Sequence, residues 1–190
     1  IPAINAAVEM RDISKYKEER VQASKSLKWT DVSETSEEEI FAELTDAFYF
    51  AMINIYAQGL AQLSIASKEY DYGLNLEEVA KIWRGGCIIR AACLEDFRQA
   101  YSKSPELPNL LLDETLGKAL EEKQAAARKV VKTFIDKGIP ASVFTSTVSY
   151  FDSYRSEILP TNLIQAQRDF FGAHKYERTD KEGVFHTEWN

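Results

Sequence analysis

Little in this chain could hold a metal. Its 190 residues include only two cysteines, Cys87 and Cys93, and two histidines, His174 and His186. The cysteine spacing is neither CxxC nor a metal-ligand pattern, so no zinc site is expected. Both cysteines read as small apolar residues on a buried helix, and the chain as reduced and cytoplasmic. A basic excess is also missing. The net charge of −7 argues against nucleic-acid binding, which needs a positive footprint, but permits a local anion site. No apolar run reaches ~18 residues, so no membrane span is expected. Glu9 and Arg11 interrupt the first apolar run, which argues against a signal peptide. GxGxxG, P-loop and GxSxG motifs are absent. The adjacent glycines, Gly85-Gly86, follow no strand and read as a bend. The many carboxylates read as solvated helix faces, with no pair singled out for acid/base work.

What remains is a helical pattern rich enough in apolar residues, at 45%, to fill one core. A chain of this length should bury roughly 70% of its unfolded surface. Ile4, Val8 and Ile13 begin one stripe, predicted to run as helix until about Lys28-Trp29-Thr30. Ser36 with Glu39 forms a capping-box signal. Behind it, Ile40, Leu44, Ala47, Ala51, Ile55 and Leu63 recur at helical spacing, and Phe41, Phe48, Met52, Tyr56 and Leu60 line the adjacent face. This wide stripe predicts a central helix of about 51 Å, covered on several sides. Gly73 should end it. Asn75 and Glu78 predict a short helix to Trp83, and a further helix should run from Cys87 to Tyr101. Pro105 and Pro108 mark a loop. Asp113 should cap a helix through Asp136, stopped by Gly138 and Pro140. Helices from Ser142 to Arg155 and from a Thr161 cap to Gly172 complete the pattern. No convincing strand pair is seen. The expected class is all-α, with long central helices: residues 1–173 as a helical dimerisation and substrate domain, and 174–190 as an extended tail. Phe185 and Trp189 are too apolar for a purely solvated tail.

The most polar stretch in an apolar setting runs from Leu159 to His174. Arg168 falls in the last turn of its predicted helix, and His174 follows a reversal at Gly172. Taken alone, Arg168 reads as a wet residue at the negative helix end and His174 as a loop histidine. The functional alternative is an anion clamp, because a guanidinium fork matches phosphate oxygens and an imidazole can add a donor.

The stretch Leu159 to His174 closely resembles the LPxxLIQAQRDxFGAH segment of 6-phosphogluconate dehydrogenases, and Tyr176-Glu177 continues it. Trp83-Arg84-Gly85-Gly86-Cys87-Ile88-Ile89-Arg90 resembles a second block of that family. Lys17-Glu18-Glu19-Arg20, with Ala23-Ser24-Lys25 after it, resembles a third, and Gly183-Val184-Phe185-His186-Thr187-Glu188-Trp189 resembles the closing segment. The blocks keep the family's order and span nearly the whole chain. Such a resemblance implies the later part of an all-helical domain that makes most of a homodimer, its tail passing across the partner. It implies an NADP-binding Rossmann unit upstream, with no coenzyme site and no catalytic residue in this chain. The family's activity is oxidation of 6-phosphogluconate and decarboxylation to ribulose 5-phosphate, without a metal. By resemblance Arg11, Arg168 and His174 are substrate-phosphate ligands, the latter two reaching across from the neighbouring subunit. Lys175 stands where the family often has threonine. The isolated chain is expected to be inactive. The rival reading is a stand-alone helical dimerisation or regulatory module.

Overall fold

The structure is a computed structural model that describes residues 1–189. The chain forms two compact units, Ile1–Phe151 and Asp152–Asn190.

The first unit is built on α3 (Glu37–Glu69) and α6 (Glu114–Asp136), which pack along each other. Their starts follow the sequence signals. Ser36 Oγ accepts from the Glu39 N–H at 3.3 Å, and Glu39 reaches back to the Ser36 N–H at 2.9 Å, which completes the capping box. Asp113 caps α6 through the Leu116 N–H. The stop after α6 is a full Schellman turn. Gly138 takes φ +65°, the Gly138 N–H donates to Ile135, and the Ile139 N–H donates to Phe134. Between the two long helices lie α4 (Leu76–Ile82), α5 (Leu94–Lys103) and a 3₁₀ turn at Leu110–Leu112. Phe50, Ile53 and Leu60 of α3 meet Leu94, Phe97 and Tyr101 of α5 and Leu116, Leu120 and Val130 of α6 in the buried core. Alanines at 47, 57 and 127 leave room for the helices to approach. Phe151, on α7 (Ser142–Tyr154), closes the core edge-on against Phe50 at 5.2 Å.

The amino-terminal helix is broken where continuous helix was expected. It forms as α1 (Pro2–Ser14) and α2 (Lys17–Ser26). Ser14 Oγ turns back to the Arg11 carbonyl, and the Lys15 and Tyr16 N–H groups bond three residues back. That tightening leaves Tyr16 outside the helical region, at φ −87° and ψ 53°. A second correction concerns the stretch from Cys87 to Cys93, which is turn rather than helix. Gly86 at φ +73° ends the regular path, so Cys93 is buried but Cys87 is exposed. As its wide apolar stripe predicts, α3 is covered on several sides, while Phe41, Phe48 and Ile65 are largely exposed.

The second unit contains α8 (Asn162–Gly172) and a small antiparallel hairpin, β1 (Tyr176–Glu177) with β2 (Val184–Phe185). The sequence showed no strand pair because each strand is only two residues long. Thr161 precedes α8 as expected, but its side chain makes no capping hydrogen bond.

Candidate functional site

The site lies in the second unit, where the chain leaves α8. Arg168 sits just before the last turn of that helix rather than within it. The reversal is not made by Gly172, which is still helical. It is made by Ala173 at φ 50° and Lys175 at φ 62°, both left-handed. Two such residues are costly, and Asp169 offsets the cost. Its carbonyl accepts the Ala173 N–H at 2.8 Å, and its carboxylate Oδ1 accepts the Lys175 N–H at 2.8 Å. Gln165 holds the next peptide of the same residue, donating Nε2 to the Lys175 carbonyl at 2.5 Å.

His174, between the two left-handed residues, is thereby turned back onto Arg168. Arg168 Nη2 lies 2.8 Å from His174 Nε2 and 3.1 Å from Nδ1. A guanidinium only donates, so the facing ring nitrogen accepts. The remaining Arg168 contact is to Gln165 Oε1 at 3.3 Å. Among the described residues Arg168 has no carboxylate partner, and both members of the pair are exposed. A cation without a counter-ion beside an imidazole is a competent anion-binding surface.

Asp169 is the residue that sequence reasoning missed, because it was read with the solvated carboxylates. Its side chain is 0% exposed. Besides Lys175, it accepts from His186 Nδ1 at 2.9 Å, the Thr187 N–H at 3.0 Å and the Trp189 Nε1–H at 2.9 Å. Burial alone would raise its pKa. Hydrogen bonds from Thr187, His186, Trp189 and Lys175 outweigh burial and hold the carboxyl well below the usual carboxylate range. The tail is therefore docked on α8, with the Trp189 ring edge-on to Phe170 at 5.9 Å. The available sequence clue was the apolar tail, which needs something to dock on.

Arg11 belongs to the first unit, at the exposed end of α1. Among the described residues its guanidinium has no hydrogen-bond or ion-pair partner. The structure thus pairs Arg168 with His174 within one unit, while Arg11 lies on the other. No group of three or more His, Cys, Asp or Glu side chains among the described residues could hold a metal ion. No helix there is long and apolar enough to cross a membrane. A dinucleotide site of the Rossmann kind needs a parallel strand, a glycine-rich turn and a helix start. The β1–β2 hairpin and its surroundings do not fit that requirement.

Fold and site together define an all-α domain that presents a basic pair beside a docked carboxy-terminal tail. The chain belongs to the 6-phosphogluconate dehydrogenase family and matches its C-terminal domain over residues 1–189. It is 50% identical to the NADP(+)-dependent, decarboxylating 6-phosphogluconate dehydrogenase of Bacillus subtilis, covering 100% of this chain and 41% of that protein. The decarboxylating enzyme of Lactococcus lactis is also 50% identical, with 40% of its length covered. The chain superposes on Plasmodium falciparum 6-phosphogluconate dehydrogenase with a TM-score of 0.91 and 39% identity, over 99% of this chain and 41% of that one. That enzyme's structures include complexes with NADP+ and with 6-phosphogluconate. The chain therefore spans about two fifths of the length of these relatives.

Proposed function

We propose that this chain serves as the substrate-phosphate and dimer-forming domain of an NADP-dependent, decarboxylating 6-phosphogluconate dehydrogenase. The observation that carries this reading is the Arg168–His174 pair, exposed and without a carboxylate partner. A phosphate placed between the two would draw them apart and take donors from both. Arg11 is the third ligand in this scheme, supplied by one copy of the chain, with Arg168 and His174 supplied by the other. Phosphate binding remote from the reacting carbon fixes orientation and contributes to the chemical step. NADP is bound by a separate nucleotide-binding domain, and the isolated chain performs no hydride transfer.

A homodimer fits the apolar surface of the first unit. An open groove of about 600 Å³ lies between α1, α3 and the turn at 83–91, and Phe48, Ile55, Trp83 and Ile88 help to line it. Contiguous apolar surface of this kind marks an interface. His186, Thr187 and Trp189 of the tail lie on Asp169 of the same chain, and in this reading the tail also meets a second subunit. The test is steady-state kinetics of the full-length protein with Arg168→Ala. A raised KM for 6-phosphogluconate with unchanged NADP binding supports the reading, and an unchanged KM overturns it.

A further inference from the structure

Arg168 and His174 are close only because the backbone between them is bent into an unfavourable path. Asp169 grips that path on both sides of His174, its carbonyl on the Ala173 N–H and its carboxylate on the Lys175 N–H. The same carboxylate carries the end of the chain. Oδ1 also takes His186 Nδ1, and Oδ2 takes the Thr187 N–H and the Trp189 indole N–H. One buried group thus serves two structures, the turn that presents His174 and the docked carboxy-terminal tail.

We propose that Asp169 is a positioning residue that couples docking of the tail to the geometry of the Arg168–His174 anion clamp. Asp169 does not touch the anion. It holds His174 in the turned-back position, and the tail's three donors hold Asp169. Releasing the tail frees the carboxylate to swing, the left-handed turn at Ala173 and Lys175 relaxes, and the imidazole leaves the guanidinium. Affinity for a phosphate group then depends on whether residues 186–189 are docked. This proposal rests on the phosphate reading of Arg168 and His174 given above.

The experiment is a double-mutant cycle on the full-length protein, with inorganic phosphate as a competitive inhibitor against 6-phosphogluconate. Asp169→Asn is made in the native background and in His174→Ala, and Arg168→Ala serves as the control for the clamp. Asp169→Asn should weaken phosphate inhibition on the order of tenfold in the native background. It should add less than about twofold once His174 is gone, because the group it positions is absent. NADP affinity should stay unchanged throughout. Equal losses in both backgrounds would mean that Asp169 acts only on general stability, and would overturn the proposal. So would an Asp169→Asn protein with native phosphate inhibition while Arg168→Ala is weakened. If Arg168→Ala itself leaves inhibition unchanged, the phosphate reading fails instead. Should Asp169→Asn not fold, Trp189→Phe removes one donor and keeps the ring on Phe170. It should give a smaller loss that again requires His174, and a loss independent of His174 counts against the coupling.

Discussion

Trp189 and Asp169 stand 20 positions apart, yet the indole N–H of one donates to the carboxylate Oδ2 of the other at 2.9 Å. The contact fastens the end of the chain to the residue beside Arg168. It makes the tail part of the candidate site's support rather than an appendage.

Acid should release that contact late. The Asp169 carboxyl is held below its ordinary value of 3.8 by the donors around it. A lowered folded-state pKa means that its contribution is fully present above the unfolded value and is lost as pH falls through the folded one. Tail docking, followed by the Trp189 indole N–H resonance, should therefore be constant from neutral pH down to about pH 4 and decline only below it. Asp169→Asn should remove that acid-dependent change. A transition well above pH 4 would show that Asp169 is not the controlling group.

The start of α3 should depend on its cap. Ser36→Ala removes the acceptor for the Glu39 N–H and the anchor that positions the Glu39 side chain. Thermal or urea unfolding should show a loss of about 1 kcal/mol, and Ser36→Asp should retain most of the stability. An unchanged midpoint for Ser36→Ala would show that α3 draws its stability from packing alone.

The stop after α6 carries a stricter demand. Gly138 is left-handed, and a Cβ there would lie 3.3 Å from two atoms of the Trp29 ring. Gly138→Ala should cost more than about 1 kcal/mol, because backbone strain and the indole contact add. Trp29→Ala should relieve part of that cost in the double variant. Additive losses would mean that only the backbone matters.

These elements also show what the sequence could and could not carry. Ser36 with Glu39, Asp113, and Gly138 with Pro140 are local signals, and each marks an element end in the structure. The segment after Gly86 misled because its apolar spacing continues while its backbone turns. Arg168 and His174 were legible as a candidate pair because they flank one helix end. Asp169 was not, because three of its donors come from residues 186–189. A carboxylate on a short polar helix looks solvated until the chain returns to cover it. Nothing in helical periodicity announces that return.

The strongest functional prediction concerns the chemistry of the cation at 168. Arg168 presents a planar fork next to the His174 ring, with Nη2 at 2.8 Å from Nε2. A fork binds two phosphate oxygens at once, whereas an ammonium is a point charge on a flexible stem. In the full-length protein, Arg168→Ala should raise KM for 6-phosphogluconate roughly 10- to 150-fold, which corresponds to ~1.5–3 kcal/mol for hydrogen bonds to a charged group. Arg168→Lys keeps the charge but loses the fork, so it should recover only part of that loss. His174→Ala should raise KM by less than Arg168→Ala, since an imidazole offers a single donor where the guanidinium offers a fork. NADP titration should give the same affinity in all three variants, because no described residue near Arg168 forms a dinucleotide site. If Arg168→Lys restores KM completely, the site needs positive charge alone, and the fork geometry set up by Gln165 and His174 is not used in substrate binding.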